Sequence, residues 1–315
     1  MLSGLLRKLG FIMASLVVVS VLIFVLVELM PGDVARLVLG QHATPEALAA
    51  LRQKLGLTRP AHVRYLAWMS GALQGDFGES LYLTGVQIGP LVQRRALNSL
   101  LLCGLGLAGF VPLSLGLGLL AGLKERTWID SVITVFGLFA LSVPEFVSGI
   151  FLIVVFSLTL RWFPSASHIP SGTSALGSLQ YLVLPVASIS LVMFGYVARM
   201  ARSSMVSVME SNYIRTALLK GLPRHYVILR HAVRNALLPA ITVIGMNIGW
   251  LFGGLIVVET LFGYPGLGSL LITAIRSRDV PLIEAATLLI TFSYLVANFA
   301  TDLLYTLLNP RIRYH

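Results

Sequence analysis

Six long apolar blocks alternate with polar connections along this chain, running from Phe11 to Leu29, Leu97 to Leu123, Ile129 to Leu160, Leu179 to Met200, Leu237 to Phe262 and Leu282 to Leu308. At 1.5 Å per residue the first block makes about 28 Å of helix, which matches the hydrocarbon thickness of a bilayer. Block length separates a bilayer span from a buried core helix, so the pattern predicts an all-α polytopic membrane protein with six transmembrane helices. Arg7 and Lys8 precede the first block as they would in a secretory leader. The apolar run is too long for a leader, however, and Glu28-Leu29-Met30-Pro31 offers no small-residue cleavage site, so this block is expected to remain as the first span. The third block exceeds what one crossing needs, and Pro144 near its middle predicts a kink or a pair of half-helices. Gly104, Gly106, Gly109, Gly116, Gly118 and Gly122 stud the second block, at spacings that let helix backbones approach closely in lipid.

Two connections carry patterns of their own. In the segment from residue 31 to 95, Thr44-Pro45-Glu46 reads as a helix cap, a first-turn proline and an acid at the positive helix end. Leu48, Leu51 and Leu55 follow on one face, Gly56 closes the helix, and a second amphipathic stretch runs from Ala61 to Leu73 before Gly75-Asp76-Phe77-Gly78-Glu79-Ser80. Together they predict a helical cap on the membrane face, which either braces the spans or docks a partner. The connection from 201 to 235 is basic and helical, with Ile214, Ala217 and Leu218 on one face, and it stops at Gly221-Leu222-Pro223. Glycine past one helix and proline at the start of the next predict a sharp helix-turn-helix. Its physical reading is a rigid knob fitting a groove on a cytoplasmic partner; the competing one is an interfacial helix held by anionic lipid. The domain organisation expected is a first span over 1–30, an extracytoplasmic helical cap over 31–95, and a five-helix core over 96–315 that contains the 201–235 coupling segment.

Composition agrees with the pattern: 57% of the 315 residues are hydrophobic and 11% charged, against about a quarter charged in a soluble domain. The formal charge of +10 lies in the connections, with no basic stripe interleaved with aromatics, so topology and not nucleic-acid binding explains it. One cysteine, Cys103, permits no intrachain disulfide, and all six histidines fall outside the apolar blocks, which argues against an intramembrane metal site or a histidine-based hydrolase. With the N-terminus inside, Arg7, Lys8, Lys124, Arg126, the seven basic residues from Arg199 to Arg234, Arg311 and Arg313 all fall in the cytoplasm. The short outer loops then hold only Arg161, Arg276 and Arg278, and both termini are predicted to be cytoplasmic.

Ionisable groups at membrane depth cost about 2.5 to 3.5 kcal/mol on insertion scales, so each calls for a function. Glu145 follows Pro144 and is a candidate pathway residue, either tuned to a cationic or amine-bearing solute or held in a plain hydrogen-bonded structural role. Asn247 is a candidate channel-lining amide, Glu259 sits at the outer end of the fifth span, and Asp302 needs a partner in the last; Asn98 and Asn298 are further candidates.

Arg215-Thr216-Ala217-Leu218-Leu219-Lys220-Gly221-Leu222, followed by Arg230-His231-Ala232-Val233-Arg234-Asn235-Ala236-Leu237-Leu238-Pro239, resembles the cytoplasmic signature of binding-protein-dependent ABC import permeases. The dipeptide, oligopeptide and nickel branch is the more similar, through Ala43-Thr44-Pro45-Glu46 with Leu55-Gly56-Leu57, Gly75-Asp76-Phe77-Gly78 with Ser80, Val258-Glu259-Thr260-Leu261-Phe262 with Pro265-Gly266-Leu267-Gly268, and Asn309-Pro310-Arg311. The resemblance implies the ABC importer permease fold and a multi-pass location in the bacterial inner membrane. It implies as partners a homologous second permease, two cytoplasmic ATPase subunits and an external solute-binding protein. ATPase coupling is then expected at Arg215, Thr216, Ala217, Lys220, Gly221, Leu222 and Pro223. Arg215 stands where the general signature has a glutamate, so the small residues Thr216, Ala217 and Gly221 carry the docking expectation more firmly than charge does. The chain has no Gly-x-x-x-x-Gly-Lys-Ser/Thr loop, so no ATP site of the usual kind is expected in it; no cofactor, metal or catalytic residue is expected either, and the resemblance implies that ATP and Mg belong to the partner ATPases. Peptides are the expected cargo, with nickel chelates, opines or oligosaccharides as variants; an ion-coupled secondary transporter is the alternative from another class.

Overall fold

The computed structural model describes residues 2–29, 44–54, 58–170 and 174–308. The Ala43 start of the predicted cap, the Leu55-Gly56-Leu57 triplet, Asn309-Pro310-Arg311 and the C-terminal arginines lie outside the described residues.

Every regular element among them is helical. In chain order these are α1 (Leu2–Glu28), α2 (Pro45–Lys54), α3 (Ala61–Leu73), α4 (Ile88–Leu123), α5 (Trp128–Ser142) and α6 (Glu145–Leu152), the last continuing as a π-helical stretch Ile153–Thr159. The short α7 (Ala175–Leu179) leads to α8 (Val183–Met209), α9 (Asn212–Leu219) and α10 (Arg224–Tyr226). A second π-helical stretch, Val227–Ala232, joins α10 to α11 (Val233–Leu261), which is followed by α12 (Leu267–Ser277) and α13 (Val280–Leu308). Among the described residues five helices are long and apolar enough to cross a membrane, and the α5–α6 pair, apolar enough together but sharply bent, makes a sixth if it counts as one span. The six apolar blocks thus all become helical, the third as two helices. Helix continues past the apolar limits where the sequence turns amphipathic, at residues 88–96 and 200–209.

The chain divides into two compact units, each made of two segments: residues 1–99 with 265–295, and 100–264 with 296–315. The core of the first gathers Ile88, Val92, Leu267, Leu270, Ala274, Leu282 and Ala285, with Phe77 packed against them. Thr44 caps α2 as its sequence predicts, its hydroxyl accepting the Ala47 N–H at 3.3 Å. The Gly-Asp-Phe-Gly turn is built on close backbone approach: Gly75 and Gly78 have φ of 79° and 75°, and a Cβ on Gly89 would stand 2.6 Å from the Gly75 carbonyl oxygen. Ser80 donates its hydroxyl to the fully buried Asp279 carboxylate, which also accepts the N–H groups of Tyr82 at 3.1 Å and Leu282 at 3.3 Å. That carboxylate therefore holds the turn after the glycines to the start of α13. Arg64 of α3 pairs with Glu28 of α1, while Tyr65 hydrogen-bonds Ser20 at 2.8 Å.

The second unit is centred on α8, thirteen of whose side chains are buried. Its core runs through Leu102, Phe110, Ile189, Met193, Phe194, Leu251, Leu255, Val258 and Phe262. Part of the glycine expectation for α4 is met against α8. A Cβ on Gly118 would run into the Ala198 carbonyl, and one on Gly122 would lie 2.6 Å from the Met205 Cβ and 2.8 Å from the Arg202 carbonyl. Gly104, Gly109 and Gly116 meet nothing within 4 Å, so they are not at that contact.

Candidate functional site

The 201–235 connection folds into an elbow. α9 turns Ile214 fully inward, onto Met205, Val227, Ala232 and Ala236, with Leu119, Leu123, Val208, Met209, Ala217 and Ile228 around them. Gly221 then leaves the helix with φ 80°; its N–H bonds to the Leu218 carbonyl at 3.0 Å and the Leu222 N–H reaches the Ala217 carbonyl at 3.4 Å. This pair of bonds is the Schellman ending, which places glycine in the left-handed position because a side chain there is strained. Pro223 stands immediately before α10 rather than inside it, with φ −58° and ψ 135°, and sets the chain into its next turn. Asn235 fastens the other side, donating to the Tyr213 hydroxyl at 3.0 Å and to the His231 carbonyl at 2.9 Å.

With its inner face buried, the elbow presents an outer face that is both apolar and basic. Leu219 is 81% exposed and Leu229 69%, with Leu218, Leu222, Tyr213 and Tyr226 also open. Arg215, Thr216, Lys220, Gly221, Pro223 and Arg224 are exposed beside them, and Ala217 is half-buried. Of the residues expected at the coupling segment, all but Ala217 are thus exposed.

The pathway candidates are spread more widely. The third apolar block breaks at Val143-Pro144, which take extended and polyproline-like angles, and the chain bends by 111° between the two halves. Pro144 cannot donate to the preceding turn and biases Val143 away from helix, so the break lies where the sequence puts it. Glu145 opens α6. Its carbonyl accepts the hydroxyls of Ser148 at 2.8 Å and Ser188 at 3.3 Å, while its half-buried carboxylate lies against Gly254 of α11. A Cβ on Gly254 would come within 3.0 Å of that carboxylate, so glycine makes the room. Asn247, half-buried, sits two turns earlier on the same side of α11 and donates to the Val243 carbonyl at 2.8 Å. Glu259 is fully buried at the far end of α11, about 18 Å of helix beyond Asn247. Burial, and then the Glu259 charge, push the neighbouring Tyr264 hydroxyl up to about 12. Asn98 donates to the Pro265 carbonyl at 2.7 Å.

Sequence reading missed a charged pair beside these residues. Asp130, in the first turn of α5 and 5% exposed, accepts both Arg202 Nε and, at 2.7 Å, Arg202 Nη2. It also accepts the Arg126 N–H at 3.0 Å and the Thr134 hydroxyl at 3.1 Å. A cleft of about 280 Å³ opens alongside between α5 and α8, lined by Ile133, Thr134, Gly137, Leu138, Ala198, Arg199, Arg202 and Ser203. The one available signal was an acid just inside an apolar block; its partner lies 72 residues away.

Comparison with known proteins gives two family matches: the binding-protein-dependent transport system inner membrane component over residues 114–314, and the N-terminal component of such membrane proteins over residues 1–81. A Brucella abortus protein named as a peptide transport system permease is 37% identical over 309 residues, covering 98% of each chain. The glutathione transport system permease protein GsiC of Salmonella typhimurium is 36% identical over 314 residues, covering all of both.

Proposed function

Because the chain belongs to the family of binding-protein-dependent transport system inner membrane components, we propose that it forms half of a solute pathway and that its elbow couples the pathway to ATP hydrolysis in partner subunits. The chain is a multi-pass permease subunit of the bacterial inner membrane, and transport that depends on a binding protein requires that protein and further transporter subunits. In the finer assembly proposed here, two cytoplasmic ATPase subunits hold ATP and Mg²⁺, a second similar permease completes the pathway, and both termini face the cytoplasm. One observation carries the coupling reading: the elbow is internally packed and doubly hydrogen-bonded at Gly221, yet leaves an apolar, basic outer surface uncovered. A connection that only joined two spans would need neither the packing nor the surface.

The cargo we assign is the peptide class, including small peptides of the glutathione kind, on the names of the relatives at 36–37% identity. Glu145 supports it. Among the described residues its carboxylate has no hydrogen-bond or ion-pair partner, and a peptide ammonium passing the break would supply one. The position of Asn247 two turns before Gly254 supports a role along the same wall, and the carbonyl of the buried Glu259 accepts the Tyr264 N–H at the end of α11. The test is uptake into proteoliposomes containing this chain, its partner subunits and the binding protein, with ATP inside and a protonophore added. Uptake that continues is the expected result; uptake that collapses while ATP remains would mark an ion-coupled carrier instead.

A further inference from the structure

α8 is met at three places spaced seven residues apart along it, at Arg202, Gly195 and Ser188, the first two by the antiparallel α5 and the third by the first residue of α6. Asp130 faces Arg202, Gly137 faces Gly195, and the Glu145 carbonyl accepts the Ser188 hydroxyl at 3.3 Å. Seven residues are two turns, about 10 Å of helix, so the contacts form rungs along one seam. A Cβ on Gly137 would lie 3.7 Å from the Gly195 Cα, and one on Gly195 would lie 2.5 Å from the Gly137 carbonyl, which makes the middle rung a direct backbone contact. The last rung falls at the break of the third span. The first falls three residues from Met205, which is fully buried in the core of the elbow. Asp130 is also bonded to the turn ahead of α5 through the Arg126 N–H, and Arg126 there has φ 61°.

We infer that the Asp130–Arg202 pair is a positioning pair that transmits displacement of the elbow along α8 to the broken span. The physical reason lies in the kind of contact. Apolar side chains slide past one another at little cost, whereas a guanidinium fork on a buried carboxylate fixes distance and angle together. The cleft beside Thr134 and Ser203 leaves the helices separated on that side, so the fork is what holds their ends in step. This inference rests on the coupling reading above.

The assembled transporter with its binding protein tests it, by measuring solute imported per ATP hydrolysed. Asp130→Asn leaves the half-buried Arg202 and Arg202→Gln the buried Asp130 without its charged partner, so the decisive variant is the double, D130N/R202Q, which leaves no unpaired charge. The expected result is an assembled complex that still hydrolyses ATP but imports about fivefold less, or lower still, per ATP, the scale of a typical coupling between sites. The double should be no worse than either single, because all three lose the same contact. A double variant with the wild-type ratio would overturn the inference, and so would one that fails to assemble, since the pair would then serve folding alone. The wild-type control keeps the two readings apart: uptake without ATP would sink the coupling reading itself, whatever the variants do.

Discussion

Replacing Asp279 by alanine removes one carboxylate but strands three donors. The Ser80 hydroxyl and the N–H groups of Tyr82 and Leu282 all end on it, and Ser80 in turn accepts the Leu83 N–H at 2.8 Å. Asp279 itself is fully buried. Counting about 1 kcal/mol for each donor left without an acceptor gives a local loss of about 3 kcal/mol. At 1.4 kcal/mol per decade, hydrogen exchange of the Tyr82 and Leu83 amides should quicken about 100-fold when this turn opens independently. Exchange followed by mass spectrometry on the purified protein reads this directly. Asp279→Asn should fall between, because the amide keeps one acceptor oxygen and loses the charge. Ser80→Ala combined with Asp279→Ala should cost less than the sum of the two, since they break one chain of bonds. Amides at 82 and 83 that exchange in Asp279→Ala within about twofold of wild type would refute this reasoning about the buried network.

Three further outcomes follow from other contacts. Gly122→Ala places a Cβ 2.6 Å from that of Met205, so overpacking should cost about 1–3 kcal/mol and lower the thermal-inactivation temperature of the complex. A Cβ on Gly221 would meet no atom within 4 Å, yet Gly221→Ala must hold φ 80°; the strain of about 1–2 kcal/mol should loosen the turn and weaken copurification of the ATPase subunits, while Gly221→Asn weakens it less. Glu145→Gln should reduce import of peptides with a free amino terminus relative to N-acetylated ones, and an unchanged ratio would remove Glu145 from solute selection.

The spans were legible because apolar length and bilayer thickness are the same quantity read in two ways. The break was legible because proline acts on its own neighbours, and the Schellman turn because only glycine suits φ 80° at residue 221. What stayed hidden is pairing at long range. Asp130 and Arg202 are 72 residues apart and Ser80 and Asp279 199 apart, and no local period signals either. The angle of the third span was equally out of reach: a proline announces a break, but the 111° depends on what packs on each half. Burial was equally hidden: the motif places Glu259 at the end of the fifth span, but that its side chain is completely buried depends on what packs around it.

The central claim is that hydrolysis in another subunit moves the spans by gripping the elbow. A single cysteine at Leu219, which is 81% exposed, introduced in a Cys103→Ser background, puts that claim to a direct measurement in the assembled complex. Cross-linking from residue 219 to an ATPase subunit, with a yield that changes between nucleotide-free and ATP-bound states and with import blocked by the bond, is the predicted result. A cysteine there that reacts freely with water-soluble maleimide in every state, and never bonds to an ATPase subunit while transport proceeds, would contradict it.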